Sequence, residues 1–168
     1  AEGLDLLVKA SFKGKRVAEA KKHIAWDHIS FTLPLSEKHL WDTENPHLYT
    51  LRATVLENNA ELDTDETRFG VRTVTADMDN GLRLNGKTIK LRGGCIHHDH
   101  GVLGAAEYPA ACRRKLTKLK EAGFNAIRTT HNPPSSALIE ACDRLGMYVF
   151  DEAFDAWGMG KQPGDYNQ

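Results

Sequence analysis

The groups able to do chemistry in this chain are concentrated in two short runs, each closing an apolar segment. LRGGCIHHDHG at 91–101 supplies His97 and Asp99, and AIRTTHNPP at 126–134 supplies Arg128, His131 and Asn132. Imidazole, carboxylate, guanidinium and carboxamide groups donate and accept hydrogen bonds to the hydroxyls of neutral polar molecules. Gathered at neighbouring strand ends, they point to carbohydrate chemistry.

The succession His97, His98, Asp99 and His100 also suits zinc or a similar ion. Consecutive strand residues point to opposite faces, so His97 can converge with Asp99, or His98 with His100. A complete site would need ligands from elsewhere, such as His131, and a bound metal is not the favoured reading. Asp151, Glu152 and Asp155 follow a third apolar run and offer the paired carboxylates that glycosidases use. The favoured reading makes Asp151 and Glu152 structural, bonded to Arg128 or to backbone groups beneath the rim. No serine lies in a GxSxG context, and Cys95, Cys112 and Cys142 lack a catalytic or CxxC setting, which makes them buried free thiols.

Two kinds of element must position these groups. In the first half, Leu4–Phe12, Ile24–Leu33 with a bulge near Asp27, Tyr49–Val55 and Thr67–Thr75 alternate with the period of strands. They predict a small antiparallel sandwich with no competing helix. Asn85-Gly86, between two alternating segments, predicts a type I′ hairpin. In the second half, strands at 89–96, 125–130 and 147–150 alternate with helices. One opens at Tyr108-Pro109 with Cys112, Leu116, Leu119 and Ala122 on its inner face. The other is capped by Ser135 or Ser136 and ended by Gly146, with Leu138, Ile139, Cys142 and Leu145 inward. This alternation predicts right-handed βαβ units, a parallel sheet and polar residues gathered at one rim. The expected division is 1–77 and 78–168.

Composition narrows the partners. The 168 residues are 40% hydrophobic, and 22 basic against 23 acidic side chains leave a formal charge of -1. A balanced surface of this kind does not predict nucleic-acid binding, and the basic residues Arg113–Lys120 read as the solvated side of a helix. No apolar run approaches the roughly 20 residues that cross a bilayer, so no membrane insertion is expected. Cell compartment is not legible.

Five segments, in order, resemble glycoside hydrolases of family 2: LWDTENPHLY at 40–49, FGVRTV at 69–74, NGKTIKLRGGCIHHDHG at 85–101, IRTTHNPPS at 127–135 and CDRLGMYVFDEAFDAW at 142–157. The resemblance implies an immunoglobulin-like β-sandwich followed by the first βα units of a (β/α)8 TIM barrel, here truncated. It implies retaining hydrolysis of terminal β-linked galactosides, glucuronides or mannosides without an organic cofactor. The HHDHG and DEAFDAW segments are most similar to bacterial β-galactosidases. By position, His97 and Asp99 resemble sugar-contacting residues, His131 and Asn132 resemble the segment that contacts the glycon, and Arg128 resembles a buried arginine that orients the catalytic carboxylates.

Two positions depart from the pattern. His98 stands where many members carry glutamate, and Ala156 and Gly158 stand where some galactosidases place magnesium ligands, which disfavours a bound metal. The family's acid/base glutamate, in an Asn-Glu pair after the fourth strand, and its nucleophile after the seventh have no counterpart in these residues. The expectation is an inactive fragment of a glycosidase, prone to self-association through an exposed sheet edge. The alternative from another class is a noncatalytic carbohydrate-binding or interaction module.

Overall fold

The computed structural model describes residues 3–156 and 158–164. Trp157, the last residue of the DEAFDAW segment, lies outside the described residues. The chain forms two compact units, residues 1–41 with 47–72 and residues 42–46 with 73–168. The division falls before the expected boundary at 77 and 78, because Val74–Asp77 pairs with Gly81–Leu84 in the second unit.

The first unit is built on one antiparallel sheet of β1 (Leu4–Phe12), β2 (Lys15–His23), β3 (Tyr49–Glu57) and β4 (Ala60–Phe69), in the order β2-β1-β3-β4. Alternation in β1 buries Val8, Ala10 and Phe12, and the last two pack with Val17 and Tyr49. The Tyr49 hydroxyl accepts from the His39 backbone N–H at 2.6 Å and donates to the Glu37 carbonyl at 3.0 Å, pinning the incoming loop. Trp41 is 2% exposed and lies against Gly70, where an added Cβ would sit 2.9 Å from the Trp41 Cβ. This contact explains the glycine of the FGVR segment: only hydrogen fits beneath the indole.

Three expectations change here. Among the described residues this unit has one sheet, not two facing sheets. The segment Ile24–Leu33 forms no strand; Ile24 extends the ladder by one hydrogen bond to the Leu4 carbonyl, and Trp26 is left 79% exposed. The strand expected at Thr67–Thr75 ends at Phe69, where Gly70 interrupts it, and a separate β5 (Val74–Asp77) follows.

In the second unit, β5 pairs with β6 (Gly81–Leu84), which pairs with β7 (Lys87–Thr88). Asn85 and Gly86 join them with φ of 50° and 78°, the left-handed pair of a type I′ turn. The parallel sheet β10-β9-β8 comprises β8 (Gly93–Ile96), β9 (Ala126–Thr129) and β10 (Tyr148–Phe150). Helix α1 (Pro109–Glu121) connects β8 to β9, and α2 (Ser136–Leu145) connects β9 to β10. Pro109 opens α1, where its missing N–H costs nothing.

Ser135 caps α2 by accepting the Leu138 N–H at 3.1 Å. Gly146 ends α2 with φ 71°, and a Cβ there would come 2.5 Å from the Thr43 carbonyl. Cys112 and Leu116 of α1 and Leu138, Ala141 and Cys142 of α2 close over Ile127 and Met147 to make the core. Ala122, expected on the inner face, instead forms the exposed C-terminal cap of α1. No described helix is long and apolar enough to cross a membrane.

Candidate functional site at the rim of the parallel sheet

Because β8, β9 and β10 run parallel, the residues after each strand emerge at the same rim of the sheet. Arg128 pairs with Phe150 in register, so the guanidinium reaches across to the chain just beyond β10. Its NH2 nitrogen lies 2.8 Å from Glu152 Oε2. His131 Nδ1 lies 3.1 Å from Glu152 Oε1 and 3.5 Å from Asp155 Oδ1. A carboxylate only accepts, so His131 Nδ1 carries a proton and is the donor. The Glu152 backbone N–H donates to Thr129 Oγ1 at 3.2 Å, completing a three-point attachment to β9 and its following loop.

The electrostatics follow from these contacts. Partial burial opposes ionisation of Glu152, but hydrogen bonding from His131 and the charge of Arg128 outweigh it and hold the carboxyl below the usual carboxylate range. The Lys161 ammonium, hydrogen-bonded to Asp155, lowers that carboxyl too, against a smaller opposing effect of burial. His131, Glu152 and Asp155 could in principle hold a cation. Arg128 and Lys161 already neutralise both carboxylates, however, and Ala156 has no ligand atom in its side chain. In this structure the cluster is an ion-pair network.

The remaining rim residues divide between two sides. His97 is exposed and turns toward β9: its Nε2 lies 3.2 Å from Thr130 Oγ1, and its ring centroid is 6.1 Å from that of His131 in an edge-on arrangement. Asn132 leans the other way, with Nδ2 3.5 Å from His98 Nδ1. Asp99 does not join His97. Its Oδ1 accepts the Gly101 N–H at 3.0 Å, and the residue lines a groove of about 590 Å³ beside α1 with Leu103, Arg114 and Lys115. Arg128, expected to be buried, has a side chain 46% exposed in this structure, because the sheet face beneath it is open. That face, with Leu91, Cys95 and Phe150, borders a trough of about 500 Å³.

Sequence reasoning missed Glu107. Its side chain is 7% exposed and accepts the Ser135 hydroxyl at 2.6 Å and His100 Nε2 at 3.0 Å, with His98 Nε2 at 3.8 Å. Burial opposes its ionisation, but the hydrogen bonds from Ser135 and His100, with the charges of His98 and Lys115, leave it below the ordinary glutamate value. The available signal was the alternation of His98 and His100 on one face, which required a partner. A lone acid directly before Tyr108-Pro109 could have supplied it.

Known proteins share this fold. Residues 6–72 match the family described as "Glycosyl hydrolases family 2", and residues 76–167 match "Glycosyl hydrolases family 2, TIM barrel domain". A β-galactosidase of Bacteroides ovatus is 43% identical over 159 residues, which is 92% of this chain and 19% of that protein. The crystal structure of a glycosyl hydrolase family 2 member from Bacteroides cellulosilyticus superimposes with TM-score 0.87 at 42% identity, covering 98% of this chain and 22% of the other. The β-glucuronidase of Parabacteroides merdae gives TM-score 0.81 at 27% identity, covering 96% and 21%. The chain thus spans about a fifth of the length of these relatives. It belongs to glycosyl hydrolase family 2, with residues from that family's sandwich domain and the start of its TIM-barrel domain.

Proposed function

We propose that this segment forms part of the sugar subsite of a retaining β-glycosidase that hydrolyses terminal β-linked sugars, β-galactosides foremost. The observation that carries this reading is the Arg128–Glu152–His131 network at the rim of the parallel sheet. A donor-rich rim of this kind binds ring hydroxyls and strengthens those bonds as the oxocarbenium-like transition state develops. His97, His131 and Asn132 supply the hydroxyl contacts. Arg128 orients, through Glu152, the histidine that faces the sugar. No organic cofactor and no metal at the rim take part in the reaction.

Sugar identity within the family is the finer question. Similarity to the Bacteroides ovatus β-galactosidase supports galactosides, while the Parabacteroides merdae β-glucuronidase supports β-glucuronides as the second enzyme reading, ahead of β-mannosides. Neither catalytic carboxylate is assigned within residues 1–168, so this chain by itself hydrolyses nothing. It self-associates through the open face of β8, β9 and β10, and light scattering at micromolar concentration checks this: a monomeric mass contradicts it.

The test is turnover of aryl β-galactoside, β-glucuronide and β-mannoside by this chain and by the full-length protein containing it. The reading expects hydrolysis by the full-length protein alone, fastest on the galactoside. Saturable sugar binding without turnover by the full-length protein would favour a carbohydrate-binding module.

A further inference from the structure

Beside the rim, the second unit holds a buried group that the sugar subsite does not use. A ring nitrogen of His100, a carboxylate oxygen of Glu107 and the Cys112 sulfur all lie within 4.8 Å of one another. His100 and Glu107 side chains are 4% and 7% exposed, and Cys112 is fully buried. His98, on the same side of its segment as His100, brings Nε2 to 3.8 Å from the second Glu107 oxygen. We infer that His98, His100, Glu107 and Cys112 form a binding site for a zinc-type divalent cation, one that ties the loop after β8 to the first turn of α1.

Three arguments support the assignment. The first is donor chemistry: two imidazoles, one carboxylate and one thiol form a mixed N/O/S set that suits zinc and excludes magnesium and calcium, which require oxygen. The second is spacing. Zinc bonds of about 2.0 Å to nitrogen and oxygen and 2.3 Å to sulfur put neighbouring donors of a tetrahedron roughly 3.3–3.6 Å apart. The separations here are 3.0 Å from His100 to Glu107, 3.8 Å from His98 to Glu107 and 4.0 Å from His100 to Cys112. They straddle that value, and His98, which lies outside the trio whose donors all fall within 4.8 Å of one another, swings in to complete the tetrahedron.

The third argument is charge. A divalent cation with one carboxylate and one thiolate is neutral, the arrangement a buried site tolerates best. Binding replaces the Cys112 thiol proton, which goes to the buffer, while the sulfur lone pair goes to the metal.

The supporting residues are also in place. Ser135 donates to the Glu107 oxygen that faces His98, and the Asn132 carboxamide lies 3.5 Å from His98 Nδ1. Partners of this kind orient metal ligands from the outside. The His98 side chain, 34% exposed, gives the ion a way in. The hydrogen bonds of Glu107 satisfy it without an ion, so the cation is a stabilising ligand and not a condition for folding.

Cobalt(II) reads this site directly. Adding Co2+ to the metal-free 168-residue chain is expected to give one equivalent of visible bands of tetrahedral cobalt with a near-ultraviolet thiolate charge-transfer band. Zn2+ should displace both, and excess Mg2+ neither. Cys112→Ser should lose the charge-transfer band, Cys95→Ser should keep it, and Glu107→Gln should weaken Zn2+ at least tenfold against a chromogenic chelator. His131→Gln, in the rim cluster, should change none of these. The wild-type spectrum needs no variant to fold: a wild-type chain without the charge-transfer band, or a band that survives Cys112→Ser, would overturn the assignment. None of these outcomes depends on glycosidase activity.

Discussion

Arg128 and Glu152 meet across two adjacent parallel strands, with 2.8 Å between guanidinium nitrogen and carboxylate oxygen. The register that sets Arg128 opposite Phe150 brings the pair together, since Glu152 follows Phe150 by two residues. The same carboxylate accepts from His131, so one acid fixes both Arg128 and His131.

That arrangement sets a pH dependence. The folded-state carboxyl of Glu152 lies below its ordinary value of 4.5, so its contribution to stability is present above that value and is lost as pH falls through the lower, folded one. Thermal midpoints of the wild type and Glu152→Gln should differ near neutrality and converge in the acid range below the ordinary glutamate value. A gap that persists unchanged into strong acid would show that the charge is not what Glu152 contributes.

Ser135 has two functions, capping α2 through the Leu138 N–H and donating to buried Glu107. Loss of an N-cap costs about 1 kcal/mol, and leaving a buried oxygen without its donor costs about 1–3 kcal/mol more. Ser135→Ala should therefore lower the unfolding free energy by about 2–4 kcal/mol in urea titrations. A loss under about 0.5 kcal/mol would mean that water replaces the hydroxyl at both partners.

The thiols separate by environment. Cys95 is exposed, whereas Cys112 and Cys142 are buried, and burial together with the nearby Asp143 carboxylate pushes the Cys142 thiol up to about 12. A maleimide at neutral pH should modify one cysteine per native chain, at Cys95, and all three only in denaturant, as peptide mass mapping would show. Native labelling of Cys142 at a comparable rate would contradict the packed core between α1 and α2.

Much of the second unit was legible because its signals are local. Ser135 and Gly146 mark the ends of α2 by cap chemistry, and Asn85-Gly86 marks a turn whose φ values few other residues adopt. The edge strand β2 and all but the end of β4 escaped notice because their residues are mostly charged or polar and exposed; β2 buries only Val17. Such strands form because β1 and β3 offer them a ladder and because Lys13-Gly14 and Asn58-Asn59 supply left-handed turns, not because they carry an apolar face. At the site, alternation correctly separated His97 from His98 and His100, and strand order anticipated a Glu152 contact with Arg128. Glu107 and the turn that draws Asp99 away from His97 depend on how the loop after β8 closes, and no periodicity records that.

The most direct test of the sugar-subsite account is kcat/KM of the full-length protein on an aryl β-galactoside, wild type against Asn132→Ala and His131→Ala. Each lost hydroxyl contact that strengthens in the transition state should cost about 3 kcal/mol, or roughly 100-fold in kcat/KM. Fold retention would be checked by the thermal midpoint. Variants that fold normally and hydrolyse the galactoside at the wild-type rate would contradict the account, because they would leave the rim of the parallel sheet without a part in binding the sugar.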